Sequence, residues 1–224
     1  MSAGPPNLLE TIKLECVEGR RGELLRDVDR ALADGVDAAE IMTRALIPAM
    51  SVVGEKYSGG EYFLPQMMLG ARAMTEAMQL LEPHLAQGSY TKKAKAILGT
   101  VSGDVHDIGK NIVKVMLEGS GYHVVDLGID VSAQGFVDAI RREAPRFVLL
   151  SALLTVTMVS MRETVQAIVG EGMRSNVVIG IGGAPVTQEF AAEIGADFYG
   201  SDAYQCAALC DRRLTHEPGD EPAG

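Results

Sequence analysis

The stretch Ala94-Lys95-Ala96-Ile97-Leu98-Gly99-Thr100-Val101-Ser102-Gly103-Asp104-Val105-His106-Asp107-Ile108-Gly109-Lys110-Asn111-Ile112-Val113-Lys114-Val115-Met116-Leu117 decides the fold. Its first eight residues form an apolar run with the length and composition of a buried β-strand, and the run from Ile108 has the spacing of a helix. A polar loop carrying one histidine joins the two. In open α/β sheets ligands bind in the crevice beyond the carboxyl ends of the strands, so that loop is the first place to look for chemistry.

Toward the C-terminus the same alternation continues. Strands are predicted at Tyr122–Leu127, Phe147–Leu153, Val177–Ile181 and Asp197–Tyr199, with helices at Ile108–Glu118, Gln134–Arg142, Met158–Val169, Val186–Ile194 and Tyr204–Leu214. Five βα units predict an α/β doubly wound parallel sheet, flavodoxin-like (Rossmann-like), with strand order 2-1-3-4-5. Its switch point lies between the first and third strands, which sets Asp104 and His106 across one crevice from Ser151, Thr155 and Thr157.

Toward the N-terminus the period changes to that of helices. Asn7 can cap a helix through Leu8, Leu9, Ile12 and Cys16 that ends at Gly19, and Leu24, Leu25, Val28 and Leu32 define a second that ends at Gly35. Asp37 caps a third, which Pro48 should kink or split. A fourth runs from Glu61 to about Leu81 with Phe63, Leu64, Met67, Met68, Ala71, Met74 and Met78 on one broad side. Short links between four helices predict an antiparallel bundle. Residues 82–93, with Pro83, Gly88 and a polar finish, read as a linker and hinge. The expected organisation is therefore a helical cap over 1–87, a sheet domain over 88–215, and a flexible tail over 216–224.

Bulk properties narrow the function. A formal charge of −10 and a pI of about 4.9 argue against a nucleic-acid partner and against an anionic membrane surface, since both are bound through Lys and Arg. Three scattered cysteines, Cys16, Cys206 and Cys210, make no disulfide framework and point to a reducing, cytoplasmic setting. No signal peptide is visible at the N-terminus. The longest uncharged run, Phe147 to Met161, is shorter than the roughly 18 residues of a membrane span.

The loop at Asp104 is not a phosphate loop: five residues separate Gly103 from Gly109, Asn111 follows Lys110, and Asp104 and Asp107 would repel a phosphate. Two readings stay open on spacing alone. His106 is a metal ligand whose second ring N–H goes to the Asp104 carboxylate, or it is a solvated loop residue beside a helix-capping aspartate. A metal bound by one histidine must bring most of its own ligands, because His84, His123 and His216 lie elsewhere in the pattern. Two further loops end strands on the same rim. Ser151-Ala152-Leu153-Leu154-Thr155-Val156-Thr157 carries three hydroxyls, and Gly180-Ile181-Gly182-Gly183 allows close backbone approach, although hydroxyls also cap helices and glycines also end strands.

Taken together the three loops resemble the cobalamin-binding family whose Asp-x-His-x-x-Gly motif supplies the lower axial ligand to cobalt. The match is Asp104-Val105-His106-Asp107-Ile108-Gly109, followed by Ser151-Ala152-Leu153 and Gly182-Gly183. Tyr62-Phe63-Leu64-Pro65-Gln66-Met67-Met68 and Ala71-Arg72-Ala73-Met74 are similar to the cap helices of cobalamin-dependent methionine synthase and of stand-alone corrinoid proteins, so the resemblance spans residues 7–214. It implies cobalamin bound base-off/His-on, with His106 as the metal ligand and Asp104 orienting it. Thr157 completes a proton relay where the methionine synthase pattern prefers Ser. Ser151 and Leu153 line a slot for the displaced base, Gly182 and Gly183 pass beside it, and Phe63 covers the upper face.

The resemblance further implies a methyl carrier that cycles between Co(I) and methyl-Co(III), as in methylcobalamin. Its expected partners are a substrate-specific methyltransferase, a second methyltransferase that passes the group to tetrahydrofolate or coenzyme M, and a reductive activase. The chain lacks a barrel-sized domain for a methyl donor and is not expected to turn over substrate alone. The alternatives are a cobalamin-dependent sensor, which usually adds a basic helix-turn-helix, and the small subunit of an adenosylcobalamin mutase, which needs a substrate barrel.

Overall fold

The computed structural model describes residues 8–85 and 92–214, so Asn7, the expected boundary at 87/88 and the expected tail lie outside the described residues. The chain divides near Lys92–Lys93 into a helical unit and a sheet unit.

The helical unit contains α1 (Leu8–Val17), α2 (Arg21–Ala33), α3 (Ala38–Ile41), α4 (Ile47–Ser58) and α5 (Leu64–Leu85). A π-helical turn, Met42–Leu46, joins α3 to α4, so Ala38–Ser58 is one continuous rod and the unit has four rods. Pro48 explains the turn. A proline offers no N–H and its ring crowds the carbonyl four residues back. The rod widens one turn ahead of it, and Ile47 N–H donates to Met42 O, five residues back. Pro48 is thereby absorbed without a break.

Local signals set the helix ends. Gly19 closes α1 at φ +67°, and a Cβ there would sit 2.7 Å from the Leu69 Cβ. Asp37 caps α3 by accepting Ala39 N–H at 2.7 Å. α5 begins at Leu64, three residues later than the pattern predicts, because Gln66 Oε1 accepts the Phe63 N–H at 3.0 Å, the returning half of a capping box. α1 packs on α2, α4 and α5. Ile12, Leu24, Ile41, Met42, Leu46, Met50, Met67, Met74 and Leu81 are fully buried there, each contributing about 1.5–3 kcal/mol of apolar burial.

The sheet unit runs β1 (Lys95–Val101), α6 (Ile108–Gly119), β2 (His123–Val131), α7 (Ala133–Glu143), β3 (Phe147–Ser151), α8 (Met158–Gly170), β4 (Val178–Gly182), α9 (Gln188–Ile194), β5 (Phe198–Gly200) and α10 (Ala203–Leu214). All strands are parallel, in the predicted order β2-β1-β3-β4-β5. Strands buried on both faces read as unbroken apolar runs, and Ile97, Val148, Leu150, Ile179 and Ile181 pack with Phe136, Val137, Met161, Val165 and Ile168 in one core.

Two strand ends differ from the sequence expectation by more than one residue, and both bear on the site. β2 does not stop at Leu127: it continues to Val131 through two register shifts against β1, with Gly128 at φ +86° and Asp130 at φ +51°. The residues beyond the expected strand end are bulges. β3 stops at Ser151, two residues early, because Leu153 and Leu154 turn their N–H groups toward Asp104 instead of the ladder.

Candidate functional site

The site is assembled around one carboxylate. Asp104 lies beyond the end of β1 and is fully buried. Its Oδ1 accepts the His106 N–H at 3.0 Å and lies 2.7 Å from His106 Nδ1. Its Oδ2 accepts the Leu153 N–H at 2.8 Å, reaches the Leu154 N–H at 3.4 Å, and lies 2.8 Å from the Thr157 hydroxyl. Burial opposes ionisation of this group, but the donors from Leu153, His106 and Thr157 outweigh it and hold the carboxyl well below the ordinary carboxylate range. An ionised Asp104 can only accept, so it draws the proton of the neutral imidazole to Nδ1. Nε2 is left with a free lone pair.

That nitrogen sits on a side chain 46% exposed. The strand ends and loops that hold Asp104 and His106 expose apolar side chains: Val105 is 66% exposed, Ile108 70% and Val156 75%, with Ile129, Leu153 and Leu154 also open. Isolated exposed apolar residues are ordinary, but a group of them on the segments that hold one oriented imidazole makes a surface suited to an apolar partner. No group of three or more His, Cys, Asp or Glu side chains suited to a metal ion occurs among the described residues. A metal at His106 would therefore find few further ligands among the described residues.

The other predicted residues fall into place in parts. Thr157 is buried, and its hydroxyl lies 2.8 Å from both Asp104 Oδ2 and Leu154 O, so one proton serves two acceptors. Ser151 and Gly182 are register partners across β3 and β4. Gly183, at φ +129°, passes so close to Ala152 that a Cβ would sit 1.8 Å from its carbonyl oxygen. Gly109 has no such neighbour: a Cβ would meet nothing within 4 Å, which keeps open space beside the loop. Asp107 is exposed just before α6 and accepts Asn111 Nδ2 at 3.1 Å. Thr155 is exposed at the turn before α8. Phe63 belongs to the helical unit, exposed at the mouth of α5.

Sequence reasoning missed the residues that hold the loop from below. Thr100, buried in β1, donates to the His106 carbonyl at 2.9 Å. Lys110, also buried, reaches Asp126 of β2 at 2.6 Å and Asn111 Oδ1 at 2.9 Å. Lys110, the Gly128 N–H and Lys114 outweigh burial at Asp126, so its carboxyl is held below the ordinary range. A lysine in the first turn of a helix faces an unfavourable dipole. That placement is the one sequence signal that could have flagged a buried partner.

The doubly wound sheet carries one oriented imidazole at its switch point, beside exposed apolar side chains, where open α/β sheets bind their ligands. The comparisons with known proteins agree. Residues 94–208 match the B12 binding domain, and residues 8–82 match a second B12 binding domain model. Dimethylamine corrinoid protein 2 of Methanosarcina acetivorans is 38% identical over 213 residues, covering 95% of this chain and 98% of that protein. A cobalamin-binding protein of Desulfitobacterium hafniense matches with TM-score 0.79 and 36% identity over 91% of this chain and 97% of that one. A chain of the methanol:cobalamin methyltransferase complex of Methanosarcina barkeri matches with TM-score 0.84 and 30% identity over 95% of this chain and 82% of its own. The chain belongs to the B12-binding corrinoid protein family.

Proposed function

We propose that this chain is a methyl carrier: it holds a corrinoid through His106 and passes a methyl group between a substrate:corrinoid methyltransferase and a second methyltransferase that delivers it to tetrahydrofolate or coenzyme M. The observation that carries this reading is the 2.7 Å contact between Asp104 and His106 Nδ1, which presents Nε2 outward on an apolar rim. When bound, the corrin cobalt supplies the nucleophile that accepts a methyl group and gives it up again. The chain's own residues set the axial side of that chemistry.

With Asp104 ionised, the neutral form of the imidazole turns its Nδ1–H to the carboxylate, which leaves Nε2 as the donor for a base-off/His-on cofactor. A proton taken up by the Asp104–His106 pair would occupy the imidazole lone pair, so that His106 could no longer act as a donor. Thr157 is placed to assist, because its hydroxyl lies 2.8 Å from both Asp104 Oδ2 and Leu154 O and its proton can turn from one acceptor to the other as the charge on the pair changes. Ser151, Leu153, Gly182 and Gly183 are the residues we assign to the displaced nucleotide base. The close approach at Gly183 and the exposed Leu153 support that assignment.

No helix among the described residues is long and apolar enough to cross a membrane. One relative is named for dimethylamine and another belongs to a methanol:cobalamin methyltransferase, both aligned along nearly the whole of this chain. This supports assigning the choice of methyl donor to the partner enzyme. Cofactor reduction would fall to an activase. The test is to load wild type and His106→Ala with hydroxocobalamin: the wild type should give a base-off/His-on absorption spectrum and the variant should lose it, whereas identical spectra exclude His106 as the ligand. Steady turnover of a methyl donor by the loaded protein alone would exclude the carrier role.

A further inference from the structure

We infer that Asp130 is a positioning residue that aims Asp104 at His106, an inference that rests on His106 being the cobalt ligand. Asp130 sits in the second bulge of β2, at φ +51°, where an ordinary side chain is strained and Asp is tolerated. From there it grips three successive residues of the turn that carries Asp104. Its Oδ1 accepts the Gly103 N–H at 2.7 Å and the Ser102 hydroxyl at 3.3 Å, and its own N–H donates to the Asp104 carbonyl at 3.0 Å.

The turn needs such a clamp. Gly103 is at φ +80°, and a Cβ there would meet only the Thr157 methyl, at 3.7 Å, so side-chain packing adds little to the turn bond from the Asp104 N–H to the Val101 carbonyl at 3.1 Å. Thr100 and the helix hold the loop after His106, but before Asp104 it is the Asp130 carboxylate that fixes the Gly103 amide. Hydrogen bonds to a carboxylate are the stronger kind, and a swing at Gly103 is transmitted directly to the Asp104 main chain. The bulge thus does more than bend the strand. It brings a side chain of β2 under a loop of β1 and fixes the direction in which the orienting carboxylate points.

Two substitutions separate side chain from backbone. Asp130→Gly keeps the N–H to the Asp104 carbonyl, relieves the positive φ and removes the acceptor. Asp130→Asn keeps the acceptor oxygen. Each, with wild type, is loaded with cob(II)alamin after labelling the histidines isotopically, and the fraction of cobalt with a histidine nitrogen bound is read by electron paramagnetic resonance across pH. Asp130→Gly should lower the bound-to-free ratio by roughly tenfold, the scale of one hydrogen bond to a charged acceptor, and Asp130→Asn should recover most of it. A wild type without histidine nitrogen on cobalt defeats the reading of His106 and this inference with it. If wild type shows that nitrogen and Asp130→Gly matches it at every pH, this inference alone is overturned. Amide exchange of the cofactor-free wild type gives an independent measurement: the Gly103 amide should be protected, and exchange at the rate of an open loop would also overturn the inference.

Discussion

Asp104 in the sheet unit and Glu15 in the helical unit are both buried carboxylates, and they are built in opposite ways. Asp104 is surrounded by donors on both oxygens. Glu15, at the end of α1, is only 3% exposed, and its Oε2 has no hydrogen-bond partner among the described residues. Burial raises the Glu15 carboxyl above its ordinary range, with Asp27 adding to the rise and Arg20 opposing it. Burial pushes Asp104 in the same direction, yet Asp104 ends up well below that range. Desolvation does not decide the state of a buried acid: the supply of N–H and O–H donors does. One carboxylate is prepared to stay charged and orient an imidazole, whereas the other carries an unmet cost.

The largest effect should come from removing the prepared carboxylate. Asp104→Ala leaves the Leu153 N–H and the His106 N–H without their acceptor and the Thr157 hydroxyl with Leu154 O alone, at a cost of about 3–5 kcal/mol in the cofactor-free protein. Urea unfolding at neutral pH measures this, and a loss under about 1 kcal/mol would show that the donors find other partners. The sign with pH follows from the direction of the shift. A depressed carboxyl contributes fully above its unfolded value of 3.8 and loses that contribution as pH falls through the folded value. The gap between wild type and Asp104→Ala should therefore hold from neutrality to about pH 4 and narrow only below it.

Thr157 sharpens the same side of the comparison at smaller scale. Thr157→Val removes one donor to Oδ2 and should cost about 1–2 kcal/mol, with Thr157→Ser close to wild type. In the loaded protein, Thr157→Val should also move the pH at which His106 leaves the cobalt, followed by absorption. No movement would remove Thr157 from the proton relay and leave it a packing residue.

Much of the sheet was legible because apolar runs and turn residues alternate at the period of βα units, and the order 2-1-3-4-5 follows from that topology. The two residues at the centre of the site, Asp104 and His106, were legible because they are two apart and one turn joins them. What closes the site was not. Leu153 and Thr157 reach Asp104 from about fifty positions away, and no spacing encodes which oxygen they meet. Gly128 and Asp130 have the composition of a turn, and it takes the pairing with β1 to make them bulges. Pro48 showed that a helix must yield, not that it yields by one wide turn. Glu15 was hidden differently: it follows Leu14 in an ordinary amphipathic pattern, and only the packing of α1 shows that a polar position turned inward.

That inward turn makes Glu15 the sharpest check on the comparison, although its effect is the smallest. With a raised folded value, the unfolded chain ionises first as pH climbs above the ordinary 4.5, so wild type loses stability between there and the folded value, opposite in sign to Asp104. Glu15→Met keeps the shape and removes the charge. It should match wild type near the low end of that window and exceed it by up to about 1 kcal/mol at neutral pH, because an apolar group replaces one with an unmet partner. Unfolding curves of the two proteins across that window carry the test. Parallel curves would mean that Glu15 is satisfied in solution, and the contrast between a supplied and an unsupplied carboxylate would then rest on Asp104 alone.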